Sequence, residues 1–137
     1  RGDGNILGTV VPEPGRRGLV IENCAFLQNT AVGLGGALSL SGNLSASVSD
    51  TSFVSNFVNS TYTYNSGGGA ASVMDGASVD VTRCTFASNV ASPSCDAASS
   101  LPPTLSGRGG AIFARASSLV LLDSVLSHNR AEGGMDD

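Results

Sequence analysis

The chain has 137 residues, 41% of them hydrophobic but only 5% aromatic, with 18 Gly, no Trp and a net charge of −4. That acidic balance excludes the basic face that nucleic-acid binding needs, and no apolar run approaches the ~20 residues of a membrane-spanning helix. So few large side chains would make a poor globular core, whereas stacked columns of small residues need fewer of them.

Taken in order, four segments carry one pattern: a Gly-Gly pair, a run of small and apolar residues, then Phe-x-x-Asn. The first is a weaker copy, Gly8-Thr9 leading to Phe26 and Asn29. Gly35-Gly36 then leads to Phe53 and Asn56, Gly68-Gly69 to Phe86 and Asn89, and Gly109-Gly110 to Leu126 and Asn129. From the first Gly to the Phe position the offsets are 18, 18, 18 and 17, while from the Asn to the next Gly pair they are 6, 12, 20 and 4. A constant segment alternating with a variable one predicts a fixed structural coil with loops inserted at one corner. The chain does not begin with Met, and it ends just after a further pair, Gly133-Gly134. It therefore reads as a single segment, residues 1–137, excerpted from a longer repeat protein.

Aligned on the Phe position, the segments form columns. Seven residues earlier stand Leu19, Ala46, Val79 and Leu119, and five earlier stand Ile21, Val48, Val81 and Leu121. More polar residues such as Ser47 and Asp80 alternate with them, the period of two that marks a strand with one buried face. The next inward positions are Cys24, Thr51, Cys84 and Ser124, then Phe26, Phe53, Phe86 and Leu126. The odd gap predicts a bend and a second strand. A third strand follows each Gly pair, as in Ala37-Leu38-Ser39-Leu40, Ala70-Ala71-Ser72-Val73 and Ala111-Ile112-Phe113-Ala114. Three short strands per coil over about four coils predict an all-β, parallel β-helix, right-handed because β-crossovers are. Both ends leave strand edges open, to be covered by further coils or partner subunits.

Asn29, Asn56, Asn89 and Asn129 predict a ladder, since an Asn side chain tolerates left-handed turns and can both donate to and accept from its neighbour one coil away. The Gly pairs predict a corner where a Cβ would clash. They are not a phosphate loop, because no Gly-Lys-Ser/Thr follows. Cys24 and Cys84 share a column two coils apart, about 9.6 Å at ~4.8 Å per strand, beyond the ~7 Å reach of a disulfide. They read as small core residues. Cys95 lies in a predicted loop, free to reach Cys84 or another partner.

The ordered recurrence of Gly35-Gly36-Ala37-Leu38, Gly109-Gly110-Ala111-Ile112, Phe53-x-x-Asn56 and Phe86-x-x-Asn89 resembles the repeats of chlamydial polymorphic outer membrane proteins. The resemblance covers residues 8–134. It departs at Thr9, at Leu126 in place of Phe, and in two long loops. It implies the architecture of a right-handed β-helical passenger and, beyond that, surface display and adhesion.

Many β-helices are pectinase-like, so a carbohydrate-active or glycan-binding β-helix is the alternative. Its chemistry would need paired carboxylates or a metal-binding acidic cluster beside a base. The outward column Asn23, Asp50, Arg83 and Asp123 places two Asp about 9–10 Å apart, near the separation of inverting glycosidases. Arg83 stands between them, however, and an Asp-Arg-Asp surface ladder is the simpler reading. His128 has no Cys or carboxylate partners at ligand spacing and reads as a turn residue. Arg1-Gly2-Asp3 spells an integrin-binding tripeptide that Gly-rich chains produce readily. Loops from Phe57 to Gly67, which holds both Tyr residues, and from Val90 to Arg108 would cluster on one edge as a contact surface. The sequons Asn43-Leu44-Ser45 and Asn59-Ser60-Thr61 fall at predicted exposed positions, as N-glycosylation requires. The sequence thus predicts a non-enzymatic segment of an extracellular or cell-surface protein with no cofactor or metal. Its role is that of a rigid spacer or filament component, and its partners are other subunits, further coils or glycans.

Overall fold

The computed structural model describes residues 5–13, 18–60, 67–93 and 108–132, which form strands and turns with no helix among them. In chain order they are β1 (Asn5–Glu13), β2 (Gly18–Leu27), β3 (Thr30–Val32), β4 (Leu38–Ser41), β5 (Ser45–Ser49), β6 (Ser52–Val54) and β7 (Phe57–Ser60). The order of the last four repeats as β8 (Ala71–Met74), β9 (Ser78–Thr82), β10 (Thr85–Ala87) and β11 (Val90–Pro93). It repeats again as β12 (Ile112–Arg115), β13 (Ser118–Leu122), β14 (Val125–Ser127) and β15 (Arg130–Ala131).

Each strand from β2 onward pairs in parallel with its equivalent one layer away. The ladders β4-β8-β12 and β3-β7-β11-β15 form two sheets. β2 is long enough to serve twice, Gly18 to Glu22 pairing with β5 and Ala25 to Leu27 with β6. It thereby joins the β5-β9-β13 and β6-β10-β14 ladders into one larger sheet. Parallel pairing of equivalent strands is the arrangement of a β-helix.

Two sequence expectations are corrected. Each layer has four strands, not three, because a further strand follows each Asn. That strand begins at Thr30, Phe57, Val90 and Arg130, and it occupies what the sequence presented as the start of the loops. Its residues pair by backbone, so the mixed side chains of Thr30-Ala31-Val32 or Val90-Ala91-Ser92 give no period to read. Gly8-Thr9 is not a coil corner either. It lies inside β1, which runs antiparallel along β2 with a register irregularity between Leu7 and Thr9. β1 takes the edge of β2 that β5 and β6 do not use, so this end of the largest sheet is not open as the sequence predicted.

The columns, by contrast, stack in the register read from the sequence. Leu19, Ala46, Val79 and Leu119 are successive Cα partners, as are Ile21, Val48, Val81 and Leu121. Phe26, Phe53 and Phe86 are buried and their rings stack face to face at 4.8 and 4.7 Å, within 2° of parallel. The core is this stack together with Ile21, Val48, Val73, Val79, Val81 and the small residues Ala46, Ala70, Ala77 and Ala111. Close layer stacking fixes the Gly corner: a Cβ on Gly69 would stand 2.1 Å from the Gly110 carbonyl oxygen and 2.6 Å from the Val90 nitrogen. No side chain fits there.

Candidate functional site

The Asn column is the most ordered polar feature of the molecule. Asn29 donates from both its backbone N–H and its Nδ2 to Asn56 Oδ1, at 3.0 and 2.9 Å. Asn56 donates in the same two ways to Asn89 Oδ1, and Asn89 to Asn129 Oδ1. Each Nδ2 also reaches back to the Phe carbonyl of the preceding layer, from Asn56 to Phe26, Asn89 to Phe53 and Asn129 to Phe86, at 2.8–3.0 Å. Asn56 and Asn89 are fully buried, so this network supplies the bonds that burial demands. The predicted ladder is present, but the left-handed residue is not the Asn. It is the preceding one: Gln28, Ser55, Ser88 and His128 have φ of 54–56°. The Asn side chain closes that bend from the neighbouring layer.

The second bend is made by the outward column. Asn23, Asp50, Arg83 and Asp123 all have φ near +50°, a region that Asn and Asp enter more cheaply than most residues. The hydroxyl column beside it closes the bend. Thr51 Oγ1 accepts from Cys24 N–H and donates to the Ser49 carbonyl, and Ser124 Oγ accepts from Cys84 N–H and donates to the Leu122 carbonyl. Cys24 and Cys84 hold equivalent places as buried thiols, neither of them in a disulfide, and burial pushes the Cys84 thiol up. Arg83 grips Asp50 with two bonds, Nε to Oδ1 at 2.7 Å and Nη2 to Oδ2 at 2.6 Å. Those bonds hold the Asp50 carboxyl below the ordinary carboxylate range, and the same partner raises Arg83 further. Asp123 acts on Arg83 through its field alone. The column is a line of alternating charge on a bend, with Asp50 committed to Arg83.

Other sequence candidates fall in different places. Asn43 is exposed at a turn, whereas Asn59 is half-buried within β7 between its Cα partners Val32 and Ser92. Residues 57–60 and 90–93 of the predicted loops are strand instead, while both Tyr, Cys95 and Arg1-Gly2-Asp3 lie outside the described residues. His128 is an exposed turn residue. In the last described layer Val120, Leu122, Val125 and Leu126 are 42–58% exposed, at an end that the sequence analysis reads as open. Column alignment places Leu126 in line with the Phe stack, and the structure pairs it with Phe86.

Residues 83–115 match the Chlamydia polymorphic membrane protein (Chlamydia_PMP) repeat. Over those residues the chain is similar to this repeat. The matched span of the polymorphic membrane protein repeat runs from the bend residue Arg83 through Phe86 and Asn89 in the β10–β11 turn to Gly109-Gly110 and β12. It therefore contains both signatures of one layer: the Asn rung and the Gly corner. No curated protein and no solved structure matches the chain.

Proposed function

We propose that the chain is a right-handed parallel β-helix segment of about four coils from a cell-surface or extracellular protein. It serves there as a rigid spacer or filament component. One observation carries the reading: the polymorphic membrane protein repeat coincides with a layer whose Asn rung is hydrogen-bonded to both neighbouring layers and whose Phe86 ring stacks on Phe53. Such a stack transmits load along its axis through backbone ladders, and it needs no cofactor or metal to do so. Loops at the corner between Asn and Gly supply adhesive or assembly contacts to protein subunits or glycans. The family name, a membrane protein repeat, supports placement at an outer surface. The segment itself has no helix long and apolar enough to cross a membrane among its described residues.

A catalytic role is not part of this proposal. A pectinase-like centre would need Asp50 available to substrate, and Asp50 is held bidentately by Arg83. Labelling intact source cells with an antibody raised against the segment tests the assignment. Staining without permeabilisation, lost on brief protease treatment, is the expected result, with glycan on Asn43 in the released peptides. Staining only after permeabilisation would refute surface display.

A further inference from the structure

One strand pair departs from all the others. β1 runs antiparallel to β2, from Asn5 opposite Leu27 to Glu13 opposite Gly18. Every other strand pair is parallel. On its other edge β2 is covered in two pieces, Gly18 to Glu22 by β5 and Ala25 to Leu27 by β6. β1 covers the same two stretches as a single strand and passes the Asn23 bend at its register irregularity between Leu7 and Thr9.

A coil ahead of β2 would need the backbone groups that β1 uses. Layers in this stack add in parallel, each strand bonding to its equivalent, and on β2 that edge is held by a strand of opposite direction. Nor is β1 itself a good template for a further strand. Its register is broken between Leu7 and Thr9, and Pro12 has no N–H to give a neighbour. Irregularities and Pro are the devices by which natural sheets blunt an edge. Among the described residues nothing pairs with the outer side of β1. The other leading strands of this layer, β3 and β4, are three and four residues long, and short edge strands recruit partners poorly.

We propose that β1 is the terminal cap of the solenoid. Coils add only on the side of β13 and β14, and any chain that precedes β1 in the whole protein is not a coil of this stack. The boundary is set by the pairing of β1 and is independent of how much chain lies before or after the segment. It rests on the spacer reading and deepens it, giving the spacer one closed end that neither a further coil nor another sheet extends.

One layer of sequence, copied to either side, tests the cap. Residues 57–89 span one interval of the ladder, the 33 residues from Asn56 to Asn89. In one variant the copy is inserted between Asn89 and Val90, and in the other it is joined ahead of Arg1, with the rest of the chain unaltered. Limited proteolysis read by mass spectrometry should find the inner copy as resistant as β9 and β10. The leading copy should be cut away, leaving the chain intact from β1 onward. In the unaltered chain, amides of β2 should exchange within about tenfold of those of β5, which is also paired on both edges. The proposal is overturned if the leading copy is protected while β1 becomes cleavable, since a coil would then have taken the edge of β2. Exchange of β2 more than about tenfold faster than β5 also overturns it, because β1 then does not hold that edge. Should the inner copy unfold the chain, the exchange comparison decides alone. Cell labelling reports location and the copied layer reports the cap, so either can fail without the other.

Discussion

Asn89 shows how much one residue can hold. Its side chain accepts two bonds from Asn56 and donates to the Phe53 carbonyl and to Asn129. Asn89→Ala would leave the buried Asn56 N–H and the buried Phe53 carbonyl without their partners, so a loss of about 4 kcal/mol is expected, against about 1 kcal/mol for the less buried Asn129→Ala. Urea midpoints of the two variants check the ratio. Phe53, stacked on both faces and buried, should cost about 4 kcal/mol on replacement by Ala. The Asp50–Arg83 pair is exposed and contributes little, but its sign is defined. A carboxyl held below its ordinary range adds stability at neutral pH, and that stability is lost as pH falls through the carboxylate range toward the folded value. Thermal melts should therefore show a shallower acid decline in Asp50→Asn than in the unaltered chain, with the difference shrinking in high salt. The Asn column was legible because four identical residues recur at one offset from Phe. Its left-handed neighbours were not, because Gln28, Ser55, Ser88 and His128 share no side-chain chemistry.

At the scale of the element, a strand was legible where one face is buried and hidden where it is not. β5 and β9 alternate buried and exposed residues, so their period survives in the sequence. β3, β11 and β15 are short and are specified by the bend before them and the backbone of the next layer. Nothing in Thr30-Ala31-Val32 announces a strand. β1 misled for a different reason: Gly8 mimics a corner glycine at the expected offset of 18, and antiparallel pairing leaves no mark in a repeat alignment. The corners give a sharp contrast between glycines. Gly69→Ala puts a Cβ into the Gly110 and Val90 backbones and should prevent folding of the layers on either side. Gly42→Ala meets nothing within 4 Å, and its positive φ alone costs about 1 kcal/mol. Soluble yield and far-UV dichroism of the two variants would separate a steric corner from a conformational one.

Across the whole molecule, stability follows position along the axis, because each layer touches only its neighbours. The inner layers bury Phe53, Phe86, Val48, Val58 and Val81, while the last leaves Leu126 half exposed. Hydrogen exchange should therefore proceed first through Val125 to Ala131 and last through β5, β6, β9 and β10. Equal protection of all layers would mean that the stack unfolds as one unit.

The direction of the Asn ladder also bears on how such a chain changes over generations. Successive rungs are 27, 33 and 40 residues apart in sequence, yet their bonds are the same to within about 0.1 Å. Every rung hands upward what it received from below. An in-frame duplication that adds a layer would thus arrive with its contacts already complementary on both sides, and a lengthened corner would leave the rung intact. Gene length and loop content can drift freely in such a design, while the few atoms of the rung stay fixed.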